Sequence, residues 1–226
     1  RYVVHRKLIL NLLDKVLELG QNGKYRPESV VHSILYPMQK TSDDIENYES
    51  QNLWVIDERL SYHSYLASDR QIKTMELVGS DSSLRPDIVV FNNPLAYTDE
   101  EKPYSSITII EFKRPMRDDM EDECNPISQV LKYVKRIQSG KQLDSKGRPL
   151  MVSATTKFFC YIIADLSESL VDQALERRLM YTPDGLGLFG YNENYNSYIE
   201  VIPFDKLLKD AKKRNRMLFD KLKLHG

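Results

Sequence analysis

A chain of 226 residues, 41% hydrophobic and 29% charged, carries enough apolar material for one well-buried core and falls among globular rather than disordered proteins. Its 32 basic and 33 acidic side chains leave a formal net charge of −1, so it is no polycation, and any grip on nucleic acid has to come from local clusters. No apolar run approaches the roughly 20 residues that span a bilayer, which argues against a membrane partner.

The chain opens on Arg1 without the long apolar stretch of a secretory signal, and so reads as part of something longer. Cys124 and Cys160 are too few for a disulfide framework or a zinc site, and the expected compartment is a reducing, cytoplasmic one.

In chain order, Leu8, Leu12, Leu13, Val16, Leu17 and Leu19 recur at helical spacing until Gly20 and Gly23 stop the run. Pro27 begins a second helix through Val30, Val31, Ile34 and Leu35, bounded by Pro37. After a polar stretch, residues 52–66 predict a third helix with Trp54, Asp57, Glu58, Ser61, Tyr62 and Tyr65 on neighbouring faces, although 53–56 alone also suit a strand. Residues 69–84 read as a loop with some strand character. Strands are predicted at 86–91, ended by Asn92, Asn93 and Pro94, and at 106–113.

An acidic loop over 118–123 leads to an amphipathic helix over 126–138, with Ile127, Val130, Leu131, Val134 and Ile137 on one side. A strand over 157–164 follows, then a helix from Asp165 to about Leu179 and a turn at Pro183-Asp184-Gly185. Two short strands, 186–191 and 198–202, are joined by Asn-rich residues, and a helix from Asp205 to about Leu224 closes the chain. This order implies an α/β fold, a mixed central sheet with helices on both faces.

Glu111 and Lys113 lie two apart on an apolar strand, so they point to one face while Phe112 points to the other. Burying such charges costs several kcal/mol each unless they are paired or ligate a metal. Asp87 begins the preceding strand, and adjacent strands are about 4.8 Å apart, so the three groups can converge. Two carboxylates side by side raise each other's pKa, which a hard divalent ion such as magnesium relieves. Such an ion polarises a phosphate and activates water, and Lys113 beside it can orient that water and offset developing charge.

Pro86-Asp87 followed by Glu111-Phe112-Lys113 resembles the motif of the PD-(D/E)XK, restriction-endonuclease-like nucleases, and Gln129 with Tyr133 matches the QxxxY element of a subset of them. The resemblance covers about residues 52 to 165. It is similar also to the nuclease domains of bacterial antiviral defence proteins of the Shedu group, through Asn52-Leu53-Trp54 and Glu111-Phe112-Lys113-Arg114-Pro115. It implies a helical N-terminal extension over 1–50 packed on a nuclease-like domain over 51–226. It also implies DNA hydrolysis with Mg2+ or Mn2+, with a silent nuclease-fold module for nucleic-acid or protein binding, or an RNA-directed nuclease, as the alternatives. Asp87, Glu111, Lys113, Gln129 and Tyr133 would be the catalytic set, and a third metal ligand would come from a preceding helix, best matched by Glu58. An ATPase module, in this or a partner chain, and a homo-oligomer are further expectations of the same kind.

Plainer readings stand beside these. Glu111 and Lys113 also suit a strand-end ion pair, Asp87 a turn cap, Gln129 and Tyr133 a hydrogen-bonded helix surface, and Glu58 a salt bridge with Arg59. His5, His32, His63 and His225 are scattered and argue against zinc. The glycines of Gly185-Leu186-Gly187-Leu188-Phe189-Gly190 belong to a hairpin, not a dinucleotide site. Lys132, Lys135, Arg136 and Lys141, and separately Lys212, Lys213, Arg214 and Arg216, are either solvated faces or phosphate grips. Tyr191, Tyr195 and Tyr198 suit strand packing and base stacking equally.

Overall fold

Apolar runs with no polar face need cover on both sides, and the two around Val89 and Ile109 lie inside a mixed sheet. The computed structural model describes residues 1–46, 48–63, 65–69, 85–92, 104–119, 125–139 and 152–223. The expectations for 70–84, Asn93, Pro94, 120–123, Cys124, Lys141 and the helix end beyond 223 lie outside them.

Among the described residues, seven strands form one sheet: β1 (Tyr65–Ser68), β2 (Ile88–Asn92), β3 (Ser106–Phe112), β4 (Lys157–Ile163), β5 (Met180–Tyr181), β6 (Leu188–Asn192) and β7 (Ser197–Ile202). Their spatial order is β1-β2-β3-β4-β7-β6-β5, parallel at β3–β4 and β4–β7 and antiparallel elsewhere. The helices are α1 (Tyr2–Val16), α2 (Glu28–Leu35), α3 (Pro126–Gln138), α4 (Glu168–Glu176) and α5 (Phe204–Lys221).

Strand alternation sorts the core into two layers. Ile88, Val90, Ile110 and Phe112 face α1, α2 and α5, joining Leu10, Leu13, Leu35, Phe204 and Ala211. Val89, Phe91, Ile107 and Ile109 face the other way, onto Ile127, Val130 and Val134 of α3 and Leu170 of α4. The α/β expectation of a mixed sheet flanked by helices, with a helical N-terminal extension, is what the structure has. Among the described residues, no helix is long and apolar enough to cross a membrane.

Capping sets where two helices begin. The Asn125 side chain accepts from the amides of Ile127 (2.8 Å) and Ser128 (3.0 Å), with Pro126 at the first helical position of α3. Ser167 does the same for Leu170 at the head of α4.

Three differences from the sequence reading have local causes. Residues 52–66 are not a helix but short 3₁₀ turns at Leu53–Val55 and Glu58–Ser61, followed by β1. Asp57 breaks the path, because its side chain accepts from the Arg59 amide at 2.8 Å and holds its own backbone extended. Leu53, Trp54, Val55 and Ile56 are all buried, so this run keeps no polar face for a surface helix. In α1 the inward stripe is Arg6, Leu10, Leu13 and Val16, while Leu8 and Leu12 are exposed. Finally α4 stops at Glu176, and Arg178 takes a left-handed φ of 64° that turns the chain into β5.

Candidate functional site

Strand pairing assembles the acid pair. Ile88 stands opposite Ile110 in the antiparallel register, and one step further brings Asp87 level with Glu111 on the face covered by α3. The Phe112 amide donates to Asp87 Oδ2 at 2.7 Å, and the Asp69 amide donates to the Asp87 carbonyl at 2.7 Å. Lys113 continues the ladder by donating its amide to the Ile163 carbonyl at 3.0 Å, which returns its side chain to the face of Glu111.

There the Lys113 ammonium donates to Glu111 Oε1 at 2.8 Å and to Gln129 Oε1 at 2.6 Å. Glu111 and Lys113 are each only 6% exposed. Gln129 reaches the site because α3 is pinned by its Asn125 cap, and one turn on, the buried Tyr133 hydroxyl donates to the Arg85 carbonyl at 3.3 Å. The structure thus brings together Asp87, Glu111, Lys113, Gln129 and Tyr133.

Among the described residues Lys113 ion-pairs with Glu111 alone, so the second carboxyl, Asp87, has no cation of its own, and Glu111 Oε2 is buried with no hydrogen-bond partner. Burial first, and then the charge of Glu111, push the Asp87 carboxyl up to about 8. Burial likewise raises Glu111, against the pull of Lys113. Burial, with both acids behind it, raises the Tyr133 phenol, which therefore stays protonated.

Glu58 is not part of this group. Its carboxylate is taken by Arg6, at 2.6 Å from Nη1 and 2.8 Å from Nη2, in a cluster with Asn215, Tyr2 and Trp54. Nor does it pair with Arg59, which is bound to Asp57 at 2.6 Å. The acid of a preceding helix whose charge does reach Glu111 is Glu28, in the first turn of α2. No spacing rule marks Glu28, because α2 meets β3 only through tertiary packing.

Sequence reasoning also missed His32. Its ring stacks on Phe112 with centroids 5.3 Å apart, Nε2 lies 2.8 Å from Ser68 Oγ, and Nδ1 lies 3.9 Å from Asp87 Oδ1. Burial pushes its pKa down to about 4, against the charge of Asp69, so the ring is neutral near pH 7. His63 instead packs with Nδ1 at 3.3 Å from the Leu60 carbonyl.

The basic runs separate. Lys132 and Lys135 are exposed on α3, the helix that carries Gln129. The α5 run lies over the opposite sheet face, where Lys212 pairs with Asp14 (2.7 Å), Arg216 with Asp220 (3.7 Å), and Arg214 caps the carbonyls of Trp54, Val55 and Ile56. Tyr191 and Tyr198 bond locally, to Asn196 and Glu200, within the β6–β7 hairpin.

Among the described residues, no group of three or more His, Cys, Asp or Glu side chains is placed to hold a metal ion. Asp87 and Glu111 offer two carboxylates, and the free Oε2 of Glu111 is the kind of hard oxygen that magnesium or manganese takes alongside water and a phosphate. No protein family, curated protein or solved structure matches this chain, so its chemistry is read from its own residues.

Proposed function

We propose that this chain is a Mg2+- or Mn2+-dependent nuclease of the PD-(D/E)XK, restriction-endonuclease-like kind, hydrolysing phosphodiester bonds of DNA. One observation carries the reading: a second, half-buried carboxyl, Asp87, stands beside the buried Glu111–Lys113 pair, and Glu111 Oε2 is left unpartnered among the described residues. A structural ion pair needs one acid. The second acid costs stability, and a group kept at such a cost is a mark of a functional site.

In this reading Asp87 and Glu111 would hold the cation, and the charge of Glu28, which raises the Glu111 carboxyl, would add to the negative field behind them. The cation, when bound, polarises the scissile phosphate and lowers the pKa of water. Lys113, held by Glu111 and Gln129, supplies a positive charge where negative charge grows on the phosphate oxygens. Gln129 keeps that ammonium from swinging out of the site. Tyr133, a neutral phenol, packs against the pair without adding charge. Lys132 and Lys135, exposed on the same helix, would be available to backbone phosphates.

None of these groups reads a base edge, so intrinsic sequence preference is weak and targeting comes from elsewhere. That agrees with an effector domain of a larger bacterial defence protein acting in the cytoplasm, with an ATPase module or as a homo-oligomer.

The test is cleavage of supercoiled plasmid, linear duplex and RNA, with and without Mg2+ or Mn2+, by the wild type and by Glu111→Gln and Lys113→Met. Metal-dependent loss of DNA that both substitutions abolish is expected. Equal cutting by wild type and Glu111→Gln, or none by the wild type with either ion within its full-length protein, overturns the reading. Faster loss of RNA reassigns the substrate.

A further inference from the structure

His32 is 1% exposed, yet both of its ring nitrogens face polar atoms. Nε2 meets Ser68 Oγ at 2.8 Å, and Nδ1 looks across 3.9 Å at Asp87 Oδ1. The ring is held flat on Phe112, with an interplanar angle of 22°. It has little freedom to turn away.

A neutral imidazole carries one proton, and the partner of one nitrogen decides which nitrogen holds it. If the Ser68 hydroxyl donates to Nε2, the proton sits on Nδ1 and points at Asp87. The other oxygen of Asp87, Oδ2, is already taken by the Phe112 amide at 2.7 Å. The amide holds one side of this carboxylate by a hydrogen bond, and the imidazole faces the other across 3.9 Å, where its N–H dipole acts without a direct hydrogen bond.

The series Ser68, His32, Asp87 has the order of a nucleophilic triad, but Ser68 is wholly buried and no substrate atom can reach it. The direction of action is the reverse, from serine through histidine onto the acid. Outer-shell groups that orient a ligand in this way are a general feature of metal sites.

We propose that His32 is a positioning residue for Asp87, its Nδ1–H set by the Ser68 hydroxyl and fixing the rotation at which the carboxylate meets a divalent cation. This role rests on the metal-site reading above, so its test is built in two independent arms.

The first arm needs no metal. Long-range 1H–15N spectra of the 15N-histidine-labelled chain near neutral pH are expected to report His32 as the Nδ1–H tautomer, and Ser68→Ala is expected to shift it toward a mixture. His32 in the Nε2–H form, or a tautomer unmoved by Ser68→Ala, overturns the proposal whatever the metal does.

The second arm uses calorimetric Mn2+ titration of wild type, His32→Asn, His32→Gln and Glu111→Gln, with circular dichroism to verify folding. The Asn amide nitrogen replaces Nδ1, whereas the Gln amide nitrogen replaces Nε2 and bonds only Ser68. His32→Gln is expected to weaken Mn2+ about tenfold or more, and His32→Asn to stay within about threefold of wild type. Equal weakening by Asn and Gln, or wild-type affinity in His32→Gln, sinks this role alone. If wild type binds Mn2+ no better than Glu111→Gln, the metal reading fails and takes this role with it.

Discussion

Asp87→Asn is expected to make the protein more stable at neutral and alkaline pH while removing the chemistry proposed for the site. The Asp87 carboxyl, ordinarily near 3.8, is pushed up to about 8 by burial and by Glu111. Between those limits the folded protein keeps a proton that the unfolded chain has released. Stability therefore falls as pH rises, by about 1.36 kcal/mol for each pH unit, and the full loss is in place above about pH 8. With one proton at stake over roughly four pH units, the loss across the window is on the order of 6 kcal/mol at most, the 24% exposure of the Asp87 side chain working to lessen it. Asparagine retains an oxygen for the Phe112 amide, at 2.7 Å in the wild type, and carries no charge to bury.

Urea unfolding followed through Trp54, the single tryptophan and a buried one, reads this directly between about pH 6.5 and about pH 8, above the range in which burial of neutral His32 gives a slope of the opposite sign. The wild-type midpoint should drop steadily with pH in chelator, while that of Asp87→Asn should run much flatter and end higher. Saturating Mg2+ should recover the wild type near pH 8 and leave the variant unmoved. An unchanged pH slope in Asp87→Asn, or lower stability than wild type near pH 8, refutes the account of a strained acid pair.

Lys113→Met leaves Glu111 buried without its cation and should cost about 3–5 kcal/mol, most of which Glu111→Gln in the same chain should restore; a double variant as unstable as the single one argues against the pairing. Arg6→Lys loses the forked bond to Glu58 and ring contacts at 4.6 and 4.4 Å. It should lower stability by about 2 kcal/mol in urea with no change in Mn2+ affinity. Glu28→Gln should weaken Mn2+ binding in calorimetry, whereas Glu58→Gln should not, and the reverse order would return Glu58 to the site. Asn125→Ala removes the cap of α3 and should cost about 1 kcal/mol, read as a lower melting temperature.

Much of the fold is local in origin and was readable as such. The strands around Val89, Ile109 and Cys160 are apolar runs bounded by proline, asparagine or charge, and α3 is announced by its Asn125-Pro126 start and its period. The stretch 52–66 misled because its apolar period suits a helix, whereas burial on every side and the Asp57 side chain favour turns. Burial is a property of the assembled molecule, and no window of sequence contains it.

The same division runs through the site. Glu111 and Lys113 share a face by strand geometry alone, and Gln129 and Tyr133, singled out by the resemblance to the QxxxY element, share one by helical geometry. The convergence of Asp87 with that pair follows from neighbouring strands, which sequence order made a fair expectation. Which outlying groups join them was set otherwise. His32 comes to face Asp87, with Ser68 behind it, because α2 and β1 dock near β2 and β3, and Glu58 is drawn away because Arg6 on α1 is buried beside it. Side chains within one element are related by a fixed repeat, but those on different elements meet only through packing, and packing alone decided which charges were left to compensate one another.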